Sequence, residues 1–115
     1  MVVAQDGTAN ASLTVTLPGV AGRMHAIRRI LFYRTAVLGV VGSAALAITT
    51  TNLPASIGWT AGNAIAIGGS ITDVDESYDA GGLVSTGYGT DTTFTMPAAG
   101  LGVTWHAVVY YDVVT

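Results

Sequence analysis

The chain has 115 residues, of which 50% are hydrophobic and only 10% are charged, and its net charge is -3. This composition excludes intrinsic disorder, which needs low hydrophobicity and high charge, and the lack of cysteine excludes a disulfide scaffold and thiol catalysis. The length predicts a single domain, and the small negative charge predicts that the chain does not bind nucleic acid.

The first eleven residues are mostly small or polar, and they lack the apolar content to order themselves in solution. We therefore predict an N-terminal arm, residues 1–11, followed by a folded domain, residues 12–115. One interpretation is that a neighbouring chain holds the arm. The alternative is that Val2 and Val3 add a short edge strand to the domain's own sheet. The segment has neither a basic stretch nor an apolar one, so we expect no signal peptide and synthesis in the cytoplasm.

Residues 12–17 alternate between polar and apolar side chains, as a half-buried β-strand does. Further candidate strands are short, rich in Val, Ile, Thr or Tyr, and bounded by Gly, Pro, Asn or Asp. They cover residues 24–33, 46–50, 64–71, 92–96 and 103–114. Short strands at a spacing of about ten residues predict an all-β fold, a single-domain antiparallel β-sandwich that is jelly-roll-like.

The longest apolar run, residues 36–48, is interrupted by Gly39, Gly42 and Ser43. A membrane-spanning helix needs about 20 apolar residues, so we expect no contact with a membrane. Because glycine disfavours helix, the pair Gly42 and Ser43 predicts a hairpin turn instead.

Charged residues are concentrated in two segments. Four arginines lie within twelve residues and four acidic residues within seven: Arg23, Arg28, Arg29 and Arg34, and Asp73, Asp75, Glu76 and Asp79. Arginine is favoured at interfaces because its planar guanidinium pairs with carboxylates. We predict that the two segments are partner-binding and meet across a subunit or lattice contact. The alternatives are pairing within one chain, or a solvated loop that faces an ordinary basic edge.

Two adjacent arginines, Arg28 and Arg29, are expected to point to opposite faces of their strand. In the last predicted strand, the odd-numbered residues from Val103 to Val113 form the core face. The opposite face carries His106, Val108 and Tyr110 and is less polar than a solvent-facing surface. We therefore count His106 and Tyr110 as partner-binding residues.

Candidate chemical sites are weak in this sequence. Asp73, Asp75, Ser77 and Asp79 alternate like the first half of a calcium loop, but Tyr78 and Val84 replace the required glycine and glutamate. A polar connection between strands is the better interpretation. His25 and His106 have no accompanying motif and are expected at a surface or an interface. Neither a phosphate-binding loop nor a nucleophile elbow is present. We predict no catalytic residues, no metal, no cofactor and no enzymatic activity.

The order of segments resembles a known class of proteins. The basic-aromatic segment RMHAIRRILFYR leads into GSAALAIT, a turn-rich middle, and then FTMPAAGLGVTWHAVVYYDV. This pattern, over about residues 20–115, is similar to small β-sandwich virion proteins of tailed bacteriophages, in particular head decoration (cement) proteins. The segment 94–100 also resembles the strand-turn-strand of trimeric C1q and TNF-like jelly rolls.

The resemblance implies a homo-oligomer, with a trimer favoured, on the outer surface of the capsid. There it would bind the major capsid protein and stabilise the head. The alternative is a receptor- or carbohydrate-binding module of a phage fibre or tail. For that role Trp59 and Tyr88, which lie in loop-like segments, would serve as binding aromatics.

Overall fold

A computed structural model describes residues 1–54 and 57–115. These residues form nine β-strands and no helix. The strands are β1 (Val2–Asp6), β2 (Leu13–Leu17), β3 (Met24–Ala36), β4 (Ala45–Thr51), β5 (Trp59–Gly62), β6 (Ser70–Ser77), β7 (Leu83–Val84), β8 (Thr92–Met96) and β9 (Val103–Val114).

The strands form two antiparallel sheets that pack face to face. Sheet A has the order β1-β9-β3-β6, with β7 paired to the first part of β3, and sheet B has the order β2-β8-β4-β5. Apart from the two-residue β7, this is the strand order of a jelly roll, in which the chain passes back and forth between two four-stranded sheets. The predicted fold class is confirmed.

The core lies between the two sheets and is built by alternation along each strand. In β2 the three apolar residues are buried and the threonines between them are exposed. In β9 the expected core face is confirmed, because Val103, Trp105, Ala107, Val109 and Tyr111 are all buried. The indole Nε1 of Trp105 donates to the carbonyl of Pro97 at 2.7 Å, so its polar atom is satisfied inside the core.

Residues 1–11 belong to the sandwich and are not a separate arm. β1 is the edge strand of sheet A and pairs with β9 in the register Val2↔Tyr110 to Asp6↔His106. Beyond the strand, the Asn10 amide donates to the carbonyl of Val103 at 3.0 Å. The structure therefore agrees with the second interpretation of this segment, in which Val2 and Val3 add an edge strand to the domain's own sheet. Main-chain hydrogen bonds to β9 order the segment, and composition alone does not reveal them.

Two local predictions are wrong. The strand expected at residues 64–71 lies later, at Ser70–Ser77, because the acidic residues occupy an edge strand of sheet A and not a connection. Gly42 and Ser43 do not form a hairpin turn, because β3 and β4 belong to different sheets. The loop between them is held by a bridge between Val40 and Ile65.

Candidate functional site

A β-bulge in β3 places two arginines on the same surface. Ile27 pairs with Tyr111 and Arg29 pairs with Tyr110, so Arg28 is an extra residue that faces no partner on β9. Such an extra residue shifts the side-chain alternation by one position. Ile27 and Ile30 are therefore both fully buried, and the two arginines between them both point out of sheet A. The expectation that Arg28 and Arg29 point to opposite faces is wrong.

Two ion pairs and one histidine–carboxylate hydrogen bond join neighbouring strands across this outer surface. Arg28 Nε donates to Asp112 Oδ2 at 2.8 Å, between β3 and β9. Arg29 Nη2 donates to Asp75 Oδ1 at 3.1 Å, between β3 and β6. In the third pair, His106 Nδ1 donates to Asp6 Oδ1 at 2.7 Å, between β9 and β1. Pairs as exposed as the two arginine pairs contribute about 0–1 kcal/mol each to stability.

An apolar strip lies between these polar pairs. Ala4, Val108 and Leu31 are aligned across β1, β9 and β3. On one side of the strip, Tyr33 stacks on the ring of His106, with ring centroids 4.7 Å apart and planes 15° apart. On the other side, Val2 and Tyr110 are paired and exposed. The strip, the ion pairs and these flanking residues together form the sheet A face: Val2, Ala4, Asp6, Arg28, Arg29, Leu31, Tyr33, Asp75, His106, Val108, Tyr110 and Asp112.

The sheet A face contains residue types that are common at protein–protein interfaces. Tyrosine and arginine are the residue types enriched at protein–protein interfaces, which have an apolar centre and a polar rim. Five residues that the sequence marks as partner-binding lie on this face: Arg28, Arg29, Asp75, His106 and Tyr110. Sequence reasoning missed Asp6 and Asp112 as ion-pair partners. The alternation in β9 places Asp112 beside Tyr110, but no sequence pattern places β1 next to His106.

The basic and acidic segments meet within one chain, through Arg29–Asp75 and Arg34–Asp73, so the prediction that they meet across a subunit or lattice contact is wrong for these pairs. Arg34 and Asp73 pair inside the domain. Their side chains are only 1% and 4% exposed. Arg34 Nε and Nη2 donate to the two carboxylate oxygens of Asp73 at 2.6 and 2.9 Å, and Nη2 also donates to the carbonyl of Gly62 at 2.9 Å. The guanidinium lies 5.5 Å from the centre of the Trp105 ring. Arg34 is on the inward side of β3 because the bulge at Arg28 sets the alternation after it.

The remaining predicted residues lie away from the sheet A face. Glu76 accepts hydrogen bonds from Trp59 Nε1 at 3.1 Å and from the Tyr78 hydroxyl at 2.8 Å. Burial and the bond to Glu76 raise the pKa of Tyr78, so its hydroxyl remains a donor at neutral pH. Arg23 lies in the loop before β3 and Asp79 in the loop after β6.

His25 is buried, which corrects the expectation of a surface or interface histidine. Its Nε2 donates to the carbonyl of Pro18 at 2.9 Å, and its Nδ1 is 2.7 Å from the hydroxyl oxygen of Thr92. The ring also contacts Tyr111 edge to face, with centroids 5.6 Å apart. Both ring nitrogens are satisfied by neighbours that belong to the fold, so His25 has a structural role.

The alternating carboxylates of residues 73–79 do not converge on one point. Asp73 binds Arg34 inside the domain, whereas Asp75 binds Arg29 on the sheet A face. Within residues 1–54 and 57–115, no group of three or more acidic, histidine or cysteine residues is placed to hold a metal ion, and no pocket is found. Nor does the described part of the chain contain a helix that is long and apolar enough to cross a membrane.

The two aromatic residues of the alternative binding role are not brought together. Trp59 lies at the start of β5, where its ring contacts Phe32 and Phe94 with centroids 6.0 and 6.4 Å away. The prediction that Trp59 lies in a loop-like segment is therefore wrong. Tyr88 is exposed in the loop before β8.

Comparison with known proteins gives no relative: no family model, curated protein or solved structure matches the chain.

Proposed function

We propose that this chain is a non-enzymatic virion structural protein, a decoration (cement) protein of a tailed bacteriophage. In this role the sheet A face binds the outer surface of the major capsid protein lattice and stabilises the head. The observation that carries the proposal is the sheet A face itself, an apolar strip bounded by ion pairs and tyrosines. The order of strand types along the sequence, which resembles that of head decoration proteins, supports the capsid as its partner.

The ion pairs of the face suit a surface that must become desolvated. Each arginine is already paired with an acid of the same chain, so docking leaves no charge without a partner. A guanidinium has five N–H donors, and Arg28 uses one of them on Asp112. The others remain free for carbonyl or carboxylate oxygens of the partner, and such charge-assisted bonds are among the stronger hydrogen bonds in proteins.

Stabilisation of the head follows from mass action. A protein that binds the assembled lattice but not its separated subunits favours the assembled state, by about 2.7 kcal/mol per site at a free concentration 100 times the dissociation constant. Many sites act on one particle, so a modest affinity at each site is sufficient.

The copy number of the protein in its particle tests this function. Densitometry of purified virions separated by gel electrophoresis is expected to give hundreds of copies per particle. A handful of copies contradicts a decoration protein and supports the alternative, a receptor- or carbohydrate-binding module of a fibre or tail, with Tyr88 as its exposed aromatic residue.

Replacing Arg28 and Arg29 together by Ala is expected to weaken attachment to the capsid far more than it weakens folding. Both pairs are exposed and contribute about 0–1 kcal/mol each to stability, so the thermal midpoint should fall by less than about 10 °C. Loss of one side of a desolvated contact costs about 2–5 kcal/mol of binding. Occupancy on decoration-free particles, measured by co-sedimentation, gives the binding change.

The control for the arginine variant is Thr14→Ala with Thr16→Ala. These two exposed residues lie on the outer side of sheet B, away from the sheet A face. This control should attach like the original protein. Normal attachment of the arginine variant would contradict the proposed role of the sheet A face.

A further inference from the structure

Four loops meet at one end of the sandwich: residues 7–12, 37–44, 63–69 and 97–102. Main-chain hydrogen bonds tie them together. The amide of Val37 donates to the carbonyl of Gly102 at 2.9 Å. The amide of Gly68 donates to the carbonyl of Ala36, also at 2.9 Å. Val40 and Ile65 exchange two such bonds, at 2.9 and 3.0 Å. We refer to these four loops as the loop end.

The loop end is mainly apolar and carries no charged residue. All eleven charged side chains of the chain lie on the sheet A face, in the buried pair, or in and beside the loops at the opposite end. Five large aliphatic side chains of the loop end are exposed: Val37 by 75%, Leu38 by 46%, Val41 by 101%, Ile67 by 72% and Leu101 by 69%. Monomeric soluble proteins rarely expose such a group of aliphatic residues, and apolar patches of this kind mark interaction sites.

The loops present these side chains in an ordered arrangement. Gly100 and Gly102 have φ angles of 126° and 77°, which glycine adopts freely. A Cβ atom at Gly102 would lie 2.8 Å from the Cβ of Leu38, and one at Gly100 would lie 2.7 Å from a methyl carbon of Val40. The two glycines therefore let residues 97–102 pack directly on residues 37–44. A surface ordered before binding loses little conformational entropy when it binds.

We propose that the loop end is where copies of this chain associate around a rotation axis. This inference goes beyond the proposed function, which uses only the sheet A face, and it names a second copy of the chain as the partner. Around a rotation axis each residue near the axis lies next to its own copies. A charged residue there would meet the same charge, and the loop end has none. The opposite end, with Arg23, Asp79 and Asp91, points away from the axis.

The size of the loop end favours a ring over a pair. The domain measures 45 × 22 × 19 Å, and the thirteen residues of β3 span about 43 Å, so the strands run along the long axis. The end cross-section is then about 400 Å², half of the roughly 800 Å² that each partner buries in a stable interface. A head-to-head dimer buries too little surface. In a closed ring the copies converge at an angle, so the flanks of the loops contact the two neighbours in addition to the end itself, and a trimer is the smallest such ring.

The residue types of the loop end favour a protein partner over a lipid surface. Segments that lie in a membrane interface are anchored by Trp and Tyr at the headgroups and by Lys and Arg that attract anionic lipids. None of these four residue types occurs in the loops 7–12, 37–44, 63–69 and 97–102.

The test is sedimentation velocity of the purified chain at micromolar concentration. The original protein should sediment as an oligomer, with a trimer expected. Replacing Val41 and Leu101 by Asp places like charges together at the axis and should raise the dissociation constant by about 100-fold or more. Both side chains are largely exposed in the single domain, so the substitutions should not unfold it. The control carries the same charges elsewhere, as Thr14→Asp with Thr16→Asp, and should remain an oligomer.

Three outcomes would overturn the inference: a monomeric original protein, an oligomer that survives the two aspartates at the loop end, or a control that dissociates equally. A monomer that floats with phosphatidylcholine vesicles would assign the loop end to lipid instead. The result is independent of the proposed function, because attachment to capsids is measured on particles and depends on the sheet A face. A monomeric protein present in hundreds of copies per virion would overturn only this inference.

Discussion

Replacing Asp73 by Ala is expected to lower the free energy of unfolding by about 3–5 kcal/mol. The change leaves the guanidinium of Arg34, which is 1% exposed, without its counter-charge inside the core. Removing one partner of a buried pair costs far more than the pair itself contributes, because the remaining charge has neither water nor carboxylate around it. For a domain of this size the thermal midpoint should fall by more than about 10 °C, measured by calorimetry.

The matched control for this variant is Asp75→Ala. Asp75 lies two residues along the same strand and pairs with Arg29, but this pair is about half-exposed. Its loss should cost about 1 kcal/mol or less. Equal destabilisation by the two alanine variants would contradict the assigned difference in burial. The combined change Arg34→Met with Asp73→Leu should recover most of the lost stability, because apolar side chains of similar size can replace a buried ion pair.

Deletion of residues 1–6 is expected to lower the thermal midpoint of the isolated domain by about 8 °C or more. The deletion removes the whole of β1, and the hydrogen-bonding edge of β9 then becomes exposed to water. Val3 packs against the core and is lost as well. A loss of about 2 kcal/mol corresponds to this shift for a domain of about one hundred residues. The shortened protein should also aggregate more readily, because an unpaired strand edge is a template for association.

A proline substitution supplies the control for the deletion. Met1 and Tyr111 exchange two main-chain hydrogen bonds, and the amide of Gly7 donates to the carbonyl of Trp105. Because antiparallel pairs alternate, the odd-numbered amides of β1 point to β9 and the even-numbered amides point to the open edge. Ala4→Pro therefore removes no hydrogen bond and should change the midpoint little. If the deletion shifts the midpoint no more than Ala4→Pro does, β1 is not part of the stable sandwich in solution.

The sequence is sufficient to predict the fold class because apolar and polar residues alternate strongly in strands that have one buried face. In β2 and β9 the apolar residues occupy every second position, and the structure buries those residues. Two edge strands, β1 and β6, are predicted less well from the sequence, whereas β2, also an edge strand, is predicted by its alternation. The sequence leaves β1 as one of two alternatives and predicts a connection in place of β6, since an edge strand with one exposed side tolerates acidic and small residues. Which strand lies next to an edge depends on long-range pairing, which a single sequence does not reveal.

In the candidate site, too, local alternation predicts some positions, whereas others depend on how the strands pair. Alternation in β9 alone placed His106 and Tyr110 on an outer surface, and both lie on the sheet A face. The position of the arginines depended on the bulge at Arg28, which is defined by the pairing of β3 with β9 and leaves no local signal. Once the bulge is known, Arg34 falls on the same side as Ile30 and Phe32, and its burial follows from alternation.

The bulge at Arg28 also separates two evolutionary constraints that meet at one position. The identity of residue 28 affects only the outer surface, so it can change with the binding partner at little cost to the fold. The number of residues between Ile27 and Ile30 affects the interior, since loss of one residue would turn either the beginning of β3 or its Arg34 half to the wrong side. Among descendants of this chain, substitutions at position 28 should accompany changes in the binding partner, whereas single-residue deletions there should be eliminated by selection.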